Sequence, residues 1–353
     1  MGCIYSRDKK LNSQSVKESV EPAKTYSWDK KERVNPADFT IENLHGGEAG
    51  RLPGTIAGQQ FIVQNCRDSC IYLLDHINTI TIDDCSGCTI FVGPTTGSVF
   101  LRDCEGCVLA AACGQLRTRD CNKLDLLLLC QTQPVIEAST KIRVGCLQAS
   151  YPQLLDQFES AGLSVFNNKW ADVYDFTPVD GETNWTILTS HLTHAFTLPQ
   201  DGEFSSVGVS VSPQGSMVPY TLGRPALTSG HNATLVLILP HPQHHQTAHQ
   251  FIEALTSRVP DVEIQLSREV KLDEPDAKRI LGEVWSGLSN TGMTVVALLC
   301  VGPGVSQACT LIAHEKNIGQ TSSSPPLVYV TPETSEGAGQ VSAFLACPAV
   351  TSL

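Results

Sequence analysis

The residues best suited to chemistry in this chain lie in GQLRTRDC (114–121), where Gln115, Arg117 and Arg119 alternate with Leu116 and Thr118. Strand side chains alternate with period two, so one amide and two guanidinium groups leave the same face of one strand. Phe100 and Arg102, in the preceding copy of a repeated pattern, share that face. Arginine presents a planar fork of donors that matches carboxylate or phosphate, and an exposed aromatic beside it makes a contact surface. Glu137 follows Arg117 by twenty residues, about one repeat, which would stack it beside Arg117 as an orienting carboxylate. A plainer reading stays open on residue types alone: two surface arginines satisfied by neighbouring acids.

The cysteines form a second constellation. Cys85, Cys88, Cys104 and Cys107 show C-x2-C, a fifteen-residue gap and C-x2-C, the spacing of a zinc ribbon. The pattern recurs out of step with a four-ligand site, however, as C-x3-C at Cys66 and Cys70, and with Leu124 in place of the second cysteine at Cys121. The flanking residues repeat with it, in FIVQNCRDSC (61–70), ITIDDCSGC (80–88), VFLRDCEGC (99–107) and LRTRDCNKL (116–124). A ladder of buried structural thiols therefore fits better than zinc or disulfides.

That repeat must position the arginines. First cysteines are spaced by 19, 19 and 17 residues, a period that points to a stacked solenoid. Phe61, Ile80, Val99 and Leu116 point one way with Val63, Ile82, Leu101 and Thr118, and the polar residues between them point the other. A further apolar run follows each corner, so two or more short strands per coil predict a parallel β-helix whose coils hydrogen-bond about 4.8 Å apart. YPQLLDQFESAGLSVF (151–166) has helical spacing and caps or flanks the solenoid.

Beyond a Thr-, Ser-, Pro- and Gly-rich stretch the pattern becomes alternating strand and helix: TLVLILP (234–240), QTAHQFIEALTSRV, VEIQLSREV, DEPDAKRILGEVW with Asp273 as cap, MTVVALLCVG and VSQACTLIAHE. This predicts a small α/β sandwich. His241, His244, His245 and His249 open its first helix, but no Asp, Glu or Cys is near in sequence, which favours a solvated helix start and no metal. The expected organisation is a tether (1–36), a solenoid with its flanking helix (37–185), a linker (186–230), the α/β domain (231–345) and a tail (346–353). GAGQVSAFLACPAVTSL, at the end, reads unlike an ordered helix.

A formal charge of -12 argues against nucleic acid as partner. Fourteen cysteines with no secretory leader fit a reducing cytosol, and no apolar run reaches the roughly 20 residues that cross a bilayer. MGCIYS instead sets Gly2 behind a removable Met with Ser6 following, a myristoylation pattern, and Cys3 beside it as a palmitate acceptor. Two acyl groups make membrane attachment durable where one is marginal.

The order MGC, YSWD (26–29), RLPGTIAGQQF (51–61), TIDDC (81–85), QLRTRDC (115–121), QPVIE (133–137) and FNNKWADVYDFTP (166–178) resembles the tubulin-folding cofactor C domain family, densely over residues 1–185 and loosely beyond. The resemblance implies a right-handed parallel β-helix followed by a ferredoxin-like domain similar to nucleoside diphosphate kinase. It implies GTPase activation toward an ADP-ribosylation-factor-like small GTPase, with release of lipidated cargo during Golgi-to-cilium trafficking at the cytoplasmic face of the plasma membrane and the ciliary base. Arg117 would be the arginine finger, Gln115 its partner in the motif, Arg119 and Glu137 its supporting ion-pair neighbours, and Phe176 a GTPase contact. GTP and Mg²⁺ would belong to the GTPase, with no cofactor of the chain's own. A scaffold or tubulin-assembly module is the alternative implied. The kinase-like domain lacks the N-x-x-H-G-S-D stretch, so it is expected to be inactive.

Overall fold

The repeats form a parallel β-helix. The computed structural model describes residues 35–188, 196, 198–223, 233–282, 293–317 and 326–351; the Gly2, Cys3 and Ser6 signal lies outside them. In chain order the strands are β1 (Thr40–Glu42), β2 (His45–Arg51), β3 (Phe61–Gln64), β4 (Arg67–Leu73), β5 (Ile80–Asp83), β6 (Thr89–Arg102), β7 (Val108–Arg119), β8 (Asp125–Cys130), β9 (Val135–Glu137) and β10 (Ile142–Cys146). One face of the solenoid stacks β1, β3, β5, the second halves of β6 and β7, and β9. Another stacks β2, β4, the first halves of β6 and β7, β8 and β10, and every pairing is parallel. Phe61, Val63, Ile80, Ile82, Val99, Leu101 and Leu116 point inward and are at most 1% exposed. Each such side chain contributes roughly 1.5–3 kcal/mol.

The corners explain the Asx-Cys pairs. Asn65, Asp84, Asp103 and Asp120 have φ of 50, 52, 50 and 53°, left-handed backbone that Asn and Asp tolerate because their short side chains bond locally. The cysteine that follows turns inward, and its Sγ donates to the carbonyl two residues back: Cys66 to Gln64 at 3.4 Å, Cys85 to Asp83 at 3.3 Å, Cys104 to Arg102 at 3.1 Å and Cys121 to Arg119 at 3.2 Å. In the next coil Ser139 takes the same role, its Oγ bonding the Glu137 carbonyl at 2.8 Å. A second column runs through Cys88 and Cys107, with Ser69 bonding the Arg67 carbonyl at 2.6 Å. Cys70 therefore stands outside the ladder, half-buried. The first column keeps a small side chain with a donor in every coil, which Ser139 meets as well as cysteine, whereas the second admits the buried Leu124 after Cys107.

Helix α1 (Leu154–Ala161), shorter than the periodic stretch, buries Leu154, Phe158 and Ala161 and ends at Gly162, whose φ of 66° closes the last turn. The chain then adds β11 (Tyr174–Asp175) beside β9 and β12 (Trp185–Ile187) beside β10. The stretch whose composition marks it as a linker is packed where it is described: β12 runs into its start, and the short α2 (Gly202–Ser205) lies within it. Phe196, Phe204, Val211 and Val218 are buried in a cluster with Tyr72 and Phe91. Spaced singly among polar residues, these apolar side chains carry no period to read in sequence.

The remaining elements are β13 (Ala233–Ile238), α3 (His244–Arg258), β14 (Glu263–Leu272), α4 (Glu274–Leu281), β15 (Met293–Val301), α5 (Val305–Lys316), β16 (Val328–Val330), α6 (Ser335–Leu345) and α7 (Pro348–Thr351). The antiparallel order β14-β15-β13-β16 is ferredoxin-like. Val236 and Ile238 face Phe251 and Ile312 of α3 and α5, while Leu235 and Leu237 face Ile280 and Phe344 of α4 and α6. Asp273 caps α4, accepting from Asp276 N at 2.8 Å. The end of the chain corrects the expectation of a non-helical tail. Thr334 caps α6, which buries Val341 and Phe344. Its glycines lower helix propensity, yet a Cβ at Gly337 would stand 1.8 Å from the Pro332 carbonyl, so the packing demands glycine.

The RLPGTIAG turn is held by Asp75, 2% exposed, whose carboxylate accepts from Ile56 N and Ala57 N at 2.7 Å and from His76 N at 2.9 Å. Burial alone would raise its pKa, but these backbone donors win and hold the carboxyl below the usual range. A depressed folded pKa means stability that is present above the unfolded value and lost as pH falls through the folded one. Asp75→Asn should therefore lower urea stability near neutral pH by about 1–3 kcal/mol, and the gap to wild type should narrow below about pH 4. At the corners, Asp103→Val should cost about 1–2 kcal/mol while Asp103→Gly stays close to wild type, read from the same urea midpoints.

Candidate functional site

On the outer face of the solenoid, register sorts side chains into columns one coil apart. One column runs Ile62, Thr81, Phe100, Arg117, Val135 and Tyr174. The column beside it runs Gln64, Asp83, Arg102, Arg119 and Glu137. Gln115 stands opposite Ser98, whose hydroxyl donates to its Oε1 at 3.3 Å. All three polar residues of the Q-x-R-x-R stretch thus leave one face, as the alternation requires.

The columns separate the two arginines electrically. Arg119 bonds Asp120 at 3.1 Å and has Glu137 in the next coil. Arg102 lies over the Phe100 ring, 5.7 Å from its centroid. Asp83 is desolvated, which raises its carboxyl pKa against the pull of Arg102. Arg117 has Phe100 on one side and Val135 on the other. Its guanidinium is exposed and makes no hydrogen bond or ion pair with any described residue. Such a group keeps its five donors available for an incoming anion.

Two expectations change. Glu137 pairs with Arg119, not Arg117, because the coil from Arg117 to Val135 is 18 residues long, not twenty. Phe100 is half-buried rather than freely exposed, since Arg102 covers part of its ring.

The aromatic edge of the surface comes from β11 and the residues after it. Tyr174 N donates to the Pro134 carbonyl and Phe176 N to the Ile136 carbonyl, both at 2.8 Å. Asp175 faces inward, accepting from Thr177 N at 3.0 Å and Asn184 Nδ2 at 2.8 Å, and Thr177 Oγ1 accepts from Ala138 N at 2.7 Å. These bonds hold Phe176 outward, 62% exposed, with Tyr174 edge-on at 6.3 Å and itself 50% exposed. Tyr174 joins the surface although sequence reasoning passed over it. Its spacing of two from Phe176 was the available signal.

Comparison with known proteins bears on this surface. The family description "Tubulin binding cofactor C" matches residues 58–176, which contain Phe100, Gln115, Arg117, Arg119, Glu137 and Phe176. Protein XRP2 of Homo sapiens is 39% identical over 89% of this chain and 91% of its own length. Protein XRP2 of Danio rerio is 42% identical over 84% of this chain and 79% of its own. Tubulin-specific chaperone C of Bos taurus is 35% identical over 37% of this chain and 39% of its own. With so much of both chains aligned, this chain belongs to the XRP2 (retinitis pigmentosa 2) family, whose β-helix is a tubulin binding cofactor C domain.

Proposed function

We propose that this chain is a GTPase-activating protein that lends Arg117 in trans to a GTP-bound ADP-ribosylation-factor-like small GTPase. The observation that carries the reading is the unpaired Arg117 guanidinium, flanked by Phe100 and Val135 on an exposed, rigid sheet. Charge spreads over the transferring phosphoryl group in the transition state, and a guanidinium set there neutralises it. An arginine already paired with a carboxylate would first have to break that pair. Arg117 has no such pair to break, while Arg119 is held by Asp120 and has Glu137 as its register neighbour in the next coil.

Gln115 serves as the polar partner of Arg117 within the motif, and Phe176 with Tyr174 supplies an aromatic anchor for the GTPase surface. The GTPase brings GTP and Mg²⁺. Myristate on Gly2 and palmitate on Cys3 hold the activator at the cytoplasmic face of the plasma membrane and the ciliary base. There, GTP hydrolysis releases lipidated cargo during Golgi-to-cilium transport. The α/β domain, lacking the N-x-x-H-G-S-D stretch, takes no part in phosphotransfer. The match to tubulin-specific chaperone C favours one second reading, a membrane-anchored scaffold or tubulin-assembly module.

Single-turnover GTP hydrolysis by an ADP-ribosylation-factor-like GTPase separates the two. Wild type should accelerate it about 10³-fold or more, and Arg117→Ala should abolish the acceleration while still binding the GTP-loaded partner. Equal rates with both forms, or no acceleration by either, would favour the scaffold. Phe176→Ala should weaken binding by about tenfold or more, while its thermal unfolding stays within about 0.5 kcal/mol of wild type because the ring is exposed.

A further inference from the structure

The histidines at the start of α3 acquire in the fold the carboxylate they lack in sequence. Glu269, on β14, places Oε1 2.6 Å from His245 Nε2 and 3.6 Å from His244 Nε2. Among the described residues these three side chains form the one group whose ligand-type atoms converge, all within 4.8 Å of one another. The His245 contact by itself is an ordinary hydrogen bond. His244 is not so easily explained. Its Nδ1 lies 3.0 Å from the His241 carbonyl, and a carbonyl only accepts, so Nδ1 carries a proton. In the neutral ring Nε2 is then a bare lone pair, and it is buried without a hydrogen-bond partner, facing a carboxylate oxygen. Either a second proton on the ring or a metal ion relieves two lone pairs so placed, and at 3.6 Å the contact is too long for a good N–H···O bond.

We propose that His244 Nε2, His245 Nε2 and Glu269 Oε1 bind a divalent cation of the zinc class, with a fourth position left to water. Two imidazoles and one carboxylate suit zinc rather than magnesium or calcium, which favour all-oxygen shells. Ligand bonds of about 2.0–2.2 Å in a tetrahedron set neighbouring ligand atoms roughly 3.4 Å apart. The His244–Glu269 separation of 3.6 Å already matches, and the His245–Glu269 pair at 2.6 Å has to open by less than an ångström. The outer partners are in place. His244 donates its other ring N–H to a carbonyl, as metal-bound imidazoles do. Glu269 Oε2 accepts from Ser164 Oγ at 2.5 Å, and the Glu269 backbone exchanges bonds with the Asn167 amide at 2.7 and 3.1 Å. His245, 55% exposed, leaves a way in for the ion. A bound cation would tie α3 and β14 to the Ser164–Asn167 segment that follows α1.

The test uses the full-length chain, stripped with chelator and kept reduced, because the ladder thiols are a competing set of soft ligands. Titration with cobalt(II) should give one equivalent with visible ligand-field bands and no thiolate charge-transfer absorption. Zinc should raise the thermal midpoint. Both effects should vanish in His244→Ala and in Glu269→Gln and persist in Cys88→Ser. His245→Gln, on the exposed side, serves if His244→Ala fails to fold. No binding at excess metal, a thiolate band lost in Cys88→Ser, or full binding by the histidine variants would overturn the proposal.

Discussion

Everything on the arginine-bearing face depends on the coil-to-coil register, and the left-handed corners set that register. A β-helix gains one backbone hydrogen-bond ladder per face only if each coil turns at the same place. Asn65, Asp84, Asp103 and Asp120 turn it with positive φ, and the small inward donor after each ties off the carbonyl two residues back. A side chain too large for the corner would push the coils apart, and one without a donor would leave that carbonyl without this bond. A slip of one residue would turn Arg117 into the core and Thr118 out of it.

The register also performs an electrical sorting. Residues two apart on a strand share a face but belong to different columns, and a column is read through partners nearly twenty residues away. The Arg119 column sets two adjacent arginines, Arg102 and Arg119, between the acids Asp83 and Glu137, while the Arg117 column holds Phe100, Val135 and Tyr174. Two arginines of one motif thereby receive opposite roles. One is engaged with its neighbours, and the other stays available.

A polar seam joins the solenoid's flanking segment to the α/β sheet. Ser267 Oγ donates to the Phe166 carbonyl at 2.8 Å, and Arg268 Nη1 donates to the Asn168 carbonyl at 3.0 Å. Burial lowers the Arg268 pKa to about 10, against the attraction of Asp172. Unpaired buried polar groups are costly, so such a seam fixes one arrangement of the two sheets more strictly than apolar contact would. The Phe166 ring, packed 5.1 Å from His249 and 5.6 Å from His245, sets the start of α3 against the same segment.

The sequence by itself determined the solenoid, its inward residues, the stacked thiols, the strand and helix alternation of the second sheet, and the common face of Gln115, Arg117 and Arg119. All of these follow from local period and local turn chemistry, which repeat visibly along the chain. Long-range placement did not. The length of one coil decided that Glu137 meets Arg119 rather than Arg117, and packing against Pro332 and the sheet made a helix of a glycine-containing tail. Burial of scattered Phe196, Phe204, Val211 and Val218 turned a polar stretch into part of the core. Glu269 reaches His244 and His245 only where β14 meets the start of α3, 24 residues beyond His245. Periodicity is a property of neighbours in sequence, whereas these contacts are closed by the fold and carry no local signature.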